Sequence, residues 1–226
     1  MKVCVLIPAY NESKAIGELV AKARDEGLDV LVVDDGSSDD TGRIARERGA
    51  LVIAQKNNRG KGASLKDGFA YALKSGYEAV VVMDGDGQHD PEDVKRFIQT
   101  AQSTDSDVVV GNRMGDPMTM PLIRRLTNRY MSNFISKICG QEIPDTQCGF
   151  RLIKRGVLEK VKLVSSKYET ESEILIRAVR GKFKILSIPI KSVYNNEASS
   201  IRPLKDALRF VRLVLNIMFE KKNVNK

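Results

Sequence analysis

Residues 78–91 read Glu78-Ala79-Val80-Val81-Val82-Met83-Asp84-Gly85-Asp86-Gly87-Gln88-His89-Asp90-Pro91. The apolar run Ala79–Met83 has the continuous character of a strand buried on both faces of a parallel sheet. That places Asp84 and Asp86 at its carboxyl end, where open α/β sheets bind ligands. With only Gly85 between them, the two carboxylates can turn toward one point, an arrangement that is costly without a cation. An all-oxygen donor set suits a hard divalent ion, and Mg²⁺ commonly takes one or two carboxylates plus substrate phosphates. Read alone, Asp-Gly-Asp-Gly is equally a solvated turn; its surroundings decide.

Outward from this stretch, the first 112 residues alternate short apolar runs with helical patterns. Strands are predicted at Val3–Ile7, Val30–Asp34, Leu51–Ala54, Ala79–Met83 and Asp107–Val110, with helices at about 13–26, 40–48, 62–75 and 91–101. Asp39-Asp40-Thr41 supplies caps for the second helix, and Pro91 with Glu92 and Asp93 suits the first turn of the fourth. The alternation argues an α/β fold, a mainly parallel sheet with helices on both faces. Beyond Arg113 the rhythm changes. Residues 114–121 carry three Met, two Pro and a Gly. A basic amphipathic helix is predicted at 122–139, a strand near 150–153, a helix at 169–181, a strand at 183–188 and a last helix at about 204–220. No repeat, low-complexity tract or linker interrupts the chain.

Length fits one domain with a sizeable core. The net charge of +8 conceals an asymmetry: residues 1–112 carry a net −5 and residues 113–226 a net +13. One half can hold a cation and the other attracts phosphates or an anionic surface. Aromatic residues make up only 6% and do not interleave with the basic ones, so nucleic acid is not the expected partner. Cys4, Cys139 and Cys148 are odd in number and widely spaced, which fits a reducing compartment. The opening Met-Lys-Val-Cys-Val-Leu-Ile-Pro reads as a first strand rather than a signal peptide, and no stretch reaches the ~20 apolar residues of a spanning helix. A cytoplasmic protein, peripheral to the cytoplasmic face of a membrane, is the expectation.

Four segments follow the strand ends: Pro8-Ala9-Tyr10-Asn11-Glu12, Asp34 to Thr41, Asp84 to Asp90, and Gly111-Asn112-Arg113. Tyr10 can stack on a base, Glu12 or Asp35 can accept hydrogen bonds from base or ribose, and helix N-termini beside them favour anions. Singly, each is an ordinary turn, cap or core aromatic. Four in register make a site.

Together Asn11-Glu12, Asp34-Asp35-Gly36-Ser37 and Asp84-Gly85-Asp86-Gly87-Gln88-His89 resemble family 2 glycosyltransferases of the GT-A fold. Asp145-Thr146-Gln147-Cys148-Gly149-Phe150-Arg151 narrows the resemblance to the branch of dolichyl-phosphate mannose synthases and bacterial polyprenyl-phosphate glycosyltransferases. The likeness covers residues 1 to about 210. It implies a GT-A domain over 1–203, with a nucleotide and metal half (1–112) and a basic acceptor half (113–203), then an amphipathic helix and tail at 204–226. It further implies a nucleotide pocket of Pro8, Tyr10, Glu12, Val33, Asp35, Asp84 and Gly85, and a Mg²⁺ or Mn²⁺ site of Asp84, Asp86 and Gln88. Arg113 and Arg151 would meet donor or acceptor phosphate, and Ser200 with Arg202 would close over the diphosphate. Here Ser200-Ile201-Arg202 replaces a Ser-Lys-Leu-like segment, Cys148 a common Ser or Thr, and Gly85 a frequent Ala, which loosens the loop without removing a ligand.

The implied reaction is inverting transfer of a hexose, mannose favoured and glucose the alternative, from a GDP- or UDP-sugar to a polyprenyl phosphate. Asp86, Arg113 and Arg151 are its expected catalytic residues. Such a transfer needs charge stabilisation on the leaving diphosphate. A phosphate acceptor is already anionic and needs no general base; a saccharide or peptide hydroxyl does, and Glu171 is the candidate. Glu169 and Glu173 read as surface charges favourable to a helix start, His89 as structural, and Arg59 and Lys61 as surface or nucleotide-proximal. Arg124, Arg125 and Arg129, at helical spacing with Leu122, Leu126 and Tyr130, form either a solvated face or a membrane-facing one. The last helix either docks on the core or serves as a peripheral anchor or contact for a membrane subunit. Two other classes compete: a nucleotidyltransferase, which usually carries after its first strand a Gly-rich, Lys/Arg-bearing loop that Pro8–Glu12 does not supply, and a non-catalytic nucleotide- or membrane-binding module.

Overall fold

The structure, a computed structural model, describes residues 1–115, 120–167, 169–191, 210 and 212–217. Its chain order is β1 (Val3–Ala9), α1 (Ile16–Asp25), β2 (Asp29–Asp34), α2 (Thr41–Glu47), β3 (Leu51–Ala54), α3 (Lys61–Lys74) and β4 (Ala79–Val82). There follow α4 (Val94–Ser103), β5 (Val108–Asn112), α5 (Leu122–Cys139), β6 (Arg151–Lys154), α6 (Arg155–Lys160), α7 (Glu169–Arg180) and β7 (Ile185–Pro189).

The strands form one sheet in the order β3-β2-β1-β4-β6-β5-β7. β1 pairs in parallel with β2 and β4, β2 with β3, and β5 with β7. Right-handed crossovers set α1 and α2 on one face and α3, which returns the chain from β3 to β4, on the other. Leu6, Val32, Val81, Val109 and Leu152 are fully buried between these layers, as the unbroken apolar runs require. The order reverses between β1 and β4, and that is the switch point where a doubly wound sheet opens a crevice.

The predicted elements recur with shifted ends. β1 extends through Pro8 and Ala9, and Pro8 sits opposite Val33. β5 takes in Gly111 and Asn112, while β4 stops before Met83. The helix expected at 91–101 begins as a 3₁₀ turn over Pro91–Asp93, with the Asp90 carboxylate accepting the Glu92 amide at 3.1 Å. The cap of α2 comes from Asp39, whose Oδ1 accepts the Thr41 amide at 3.0 Å. The short helix α6 was not expected. β6 runs antiparallel to both β4 and β5 and lies between them, so a strand from beyond residue 112 completes the sheet of the first half.

The last predicted helix is described at Phe210 and 212–217. There Phe210, Leu213, Val214 and Ile217 are buried in the common core, Phe210 meets Phe134 edge-on at 5.9 Å, and Arg180 donates to the Ile217 carbonyl. In these residues, docking on the domain wins over the anchor reading.

Candidate active site

Two loops meet at the switch point. Asp84 to Gln88 leave β4 and Tyr10 to Glu12 leave β1, and Gly85 fits between them: a Cβ there would lie 3.3 Å from Glu12 Cγ and 3.4 Å from Ala9 Cβ. The turn is fixed from inside by the Gln88 amide, which donates to Asp86 Oδ1 at 3.0 Å. Gly87 supplies the positive φ of 75° that the turn requires. Asn11 turns the first loop at φ 58°. Its Oδ1 accepts the Ser38 amide and its own amide donates to Ser37 Oγ, so the loops after β1 and β2 are laced together. Tyr10 is exposed, and Glu12 donates its amide to Thr41 Oγ1 at 2.8 Å.

Asp35 lies below this surface. Its carboxylate accepts the amides of Arg59 at 2.8 Å and Gly60 at 2.7 Å, and with Val33 it is buried. Here it shapes the loop that enters α3 rather than offering a free acceptor. Gly60 at φ 96° then starts α3 at Lys61.

Lys61 is the residue sequence reasoning undervalued. Its ammonium forms ion pairs with both Asp84 and Glu171, and so joins the loop after β4 to α7, with Glu171 110 residues beyond Lys61 itself. Burial works against that charge, but the two carboxylates outweigh it and hold the Lys61 pKa above its ordinary value. Burial likewise pushes Asp84 up, and Lys61 first, then His89 and Arg113, overcome it and keep the carboxyl below the usual range. A signal was present: a lysine in the first turn of a helix opposes the macrodipole and therefore calls for a nearby carboxylate.

The second half closes the site. Gly149 abuts the Asp84 carboxylate so closely that a Cβ there would overlap Oδ2 and stand 2.8 Å from Cγ. Arg113 donates Nε to Asp145 Oδ2 at 2.7 Å and Nη2 to Oδ1 at 3.0 Å, and Asp145 is fully buried. His89, also buried, stacks on Phe150 at 5.2 Å and sets Nε2 at 3.9 Å from Asp84 Oδ2. Burial, opposed by Asp84 and aided by Arg113 and Lys61, pushes its pKa down to about 4. It is a neutral wall behind the carboxylate, in keeping with the structural role expected.

Two expectations need correction. Arg151 is 2% exposed and donates Nε to the Cys148 carbonyl, Nη1 to that of Glu171 and Nη2 to that of Thr146, at 2.5–2.7 Å. It stands behind the site as a brace and presents no face to a phosphate in this conformation. Glu173, expected on the surface, is fully buried and accepts from Val164, Ser165 and Arg177, because the segment before α7 folds over that helix start. Ser200 and Arg202 lie outside the described residues.

Asp84, Asp86 and Gln88 offer two carboxylates and an amide. Among the described residues, no group of three or more His, Cys, Asp or Glu side chains is disposed to hold a metal. That donor set fits Mg²⁺ or Mn²⁺ carried in part by substrate phosphates, and not an all-protein cage.

Sheet order and carboxylate placement define the GT-A class of glycosyltransferase. The chain belongs to glycosyl transferase family 2, whose model matches residues 4–162. It is 32% identical over 213 residues to the UDP-N-acetylglucosamine–dolichyl-phosphate N-acetylglucosaminyltransferase of Methanococcus voltae, covering 84% of this chain and 85% of the other. It is 32% identical over 200 residues to the polyprenol monophosphomannose synthase of Mycolicibacterium smegmatis, covering 82% and 75%. The fold also matches glucosyl-3-phosphoglycerate synthase from Mycobacterium tuberculosis, solved with Mg²⁺ and UDP, at a TM-score of 0.72, with 21% identity over 95% of this chain and 78% of that one.

Proposed function

We propose that this glycosyltransferase moves a sugar from a nucleoside diphosphate to a polyprenyl phosphate at the cytoplasmic face of a membrane, with inversion. The observation that carries the reading is the state of Glu171: the carboxylate a hydroxyl acceptor would need as base is engaged by Lys61. A phosphate acceptor needs no base. The named relatives, one for dolichyl phosphate and one for polyprenol, support the same acceptor class.

In this reading Asp84, Asp86 and Gln88 would hold Mg²⁺ or Mn²⁺, whose charge would stabilise the leaving diphosphate. Tyr10 and Glu12 receive the nucleoside. Arg113, fixed by Asp145, orients the acceptor phosphate. An oxygen of that phosphate forms the new bond to the anomeric carbon as the bond to the diphosphate breaks, and the nucleoside diphosphate leaves with the electron pair. Arg151 positions the loop through Thr146 and Cys148 and does not touch substrate. Ser200 and Arg202 are proposed, from the family resemblance, to close over the diphosphate.

The test is radiolabel transfer from GDP-mannose, UDP-glucose and UDP-N-acetylglucosamine to a short polyprenyl phosphate, with Mg²⁺ or Mn²⁺ and with EDTA. A labelled lipid that forms only with metal is expected. Sugar-nucleotide turnover without labelled lipid would move a hydroxyl acceptor to the front, and silence across the panel would favour a binding role.

A further inference from the structure

The ammonium of Lys61 and a metal ion at the switch point need the same carboxylate. Lys61 Nζ is seated on Asp84 Oδ1. Oδ2 is walled in on its own side: a Cβ on Gly149 would overlap it, and His89 Nε2 stands 3.9 Å away. An ion approaching Asp84 therefore meets a positive charge already in place, and like charges this close repel strongly in a partly buried site.

The lysine is not a wandering side chain. Gly60, at φ 96°, turns the chain so that α3 begins at Lys61. A Cβ on Gly62 would overlap Thr170 Oγ1 and stand 2.7 Å from the Ser166 carbonyl carbon, and the Ser166 carbonyl accepts the Ala63 amide at 3.3 Å. This first turn is thus clamped to the segment that leads into α7, and Glu171 on α7 takes the same ammonium. The Lys61 side chain is only 16% exposed. A cation in the first turn opposes the helix dipole, so the two carboxylates are what hold it there.

The donor set points the same way. Among the described residues no group of three or more His, Cys, Asp or Glu side chains is disposed to hold a metal, so an ion here needs oxygens from its substrate. A bare divalent ion would bring two positive charges beside the ammonium. The same ion carried on a nucleoside diphosphate brings negative oxygens with it, and these offer the lysine partners in place of Asp84.

We propose that Lys61 is an internal counter-ion that guards Asp84: it disfavours a bare divalent cation and admits the metal together with the nucleotide diphosphate, so that the two bind as one cooperative unit. Lys61 is a positioning residue in this account, acting through Asp84. The inference rests on the reading of Asp84 as a metal ligand and on no particular acceptor.

The experiment follows Mn²⁺ binding by electron paramagnetic resonance, against protein-free titrations, for wild type, Lys61→Met and Lys61→Arg, each alone and with GDP or UDP. Wild type is expected to bind Mn²⁺ at least tenfold more tightly with one of these nucleotides than without. Lys61→Met is expected to bind Mn²⁺ alone at least tenfold more tightly than wild type. The nucleotide should then add little, and by reciprocity Mn²⁺ should add little to nucleotide binding. Combining Asp84→Asn with Lys61→Met should abolish the gain, which assigns the ion to Asp84, while Lys61→Arg keeps the charge and should keep the nucleotide dependence. Tight Mn²⁺ binding by wild type without nucleotide overturns the proposal, and that measurement needs no variant. So does a Lys61→Met protein with a cooperative thermal transition and wild-type Mn²⁺ affinity, even where binding depends on nucleotide; the metal reading of Asp84 then stands. If no protein binds Mn²⁺ even with nucleotide, that reading falls and the proposal with it.

Discussion

Arg113 and Asp145 lock into a two-point ion pair, Nε to Oδ2 at 2.7 Å and Nη2 to Oδ1 at 3.0 Å, and the Arg113 amide adds a third bond to Oδ2 at 3.1 Å. Backbone and side chain of the arginine are therefore fixed by one carboxylate. Removing one member of such a buried pair strands the other charge and costs roughly 3–5 kcal/mol. Asp145→Asn is expected to lower the urea midpoint by a corresponding amount. It should also raise KM for the lipid acceptor more than KM for the sugar nucleotide, which steady-state kinetics will read.

Glu171→Gln separates the two acceptor chemistries. With a phosphate acceptor the substitution only weakens the tie to Lys61, and turnover is expected to fall by less than about tenfold. With a hydroxyl acceptor it removes the general base, a loss of order 10²–10⁴. The measurement is kcat at saturating concentrations of both substrates.

Gly149→Ala should act on chemistry more than on folding. The added methyl overlaps the Asp84 carboxylate, the far end of a side chain that can swing away, so the displacement falls on Asp84. A misplacement of this size costs on the order of 100-fold in rate. The expected signature is lost activity together with weaker Mn²⁺ binding, seen by electron paramagnetic resonance, at a nearly unchanged thermal midpoint.

His89 is the single histidine of the chain, which makes its titration legible. Its folded pKa of about 4 lies below the ordinary 6.5, so the folded state binds fewer protons between those values and stability falls as pH drops from 6.5 toward 4. About 2 kcal/mol should be lost between pH 7 and pH 5. His89→Gln is expected to flatten that slope, measured by urea unfolding in EDTA.

Much of this was legible in the chain because it was local. The strands β1, β2, β4 and β5 announced themselves as apolar runs closed by Asp, Gly or Pro, since burial on both faces leaves no room for polar alternation. What escaped depended on partners far away in sequence. The direction of β6 is set by its pairing with β4, some 70 residues earlier in the chain, and nothing in Arg151-Leu152-Ile153-Lys154 records it. Glu173 carries the pattern of a surface acid and is buried by a segment folding over it. Arg151 bears a phosphate-binding motif, yet three carbonyls claim it. Lys61 reached the site only when α7 supplied Glu171.

The placement of β6 bears on how such a protein can change. With β6 seated between β4 and β5, the chain before residue 113 cannot close its own sheet, and the half beyond it is no detachable module. Cutting or recombining the gene near codon 113 would give two fragments, each lacking a neighbour strand. New acceptors must therefore be reached by altering side chains and loops around a shared frame, not by exchanging its second half.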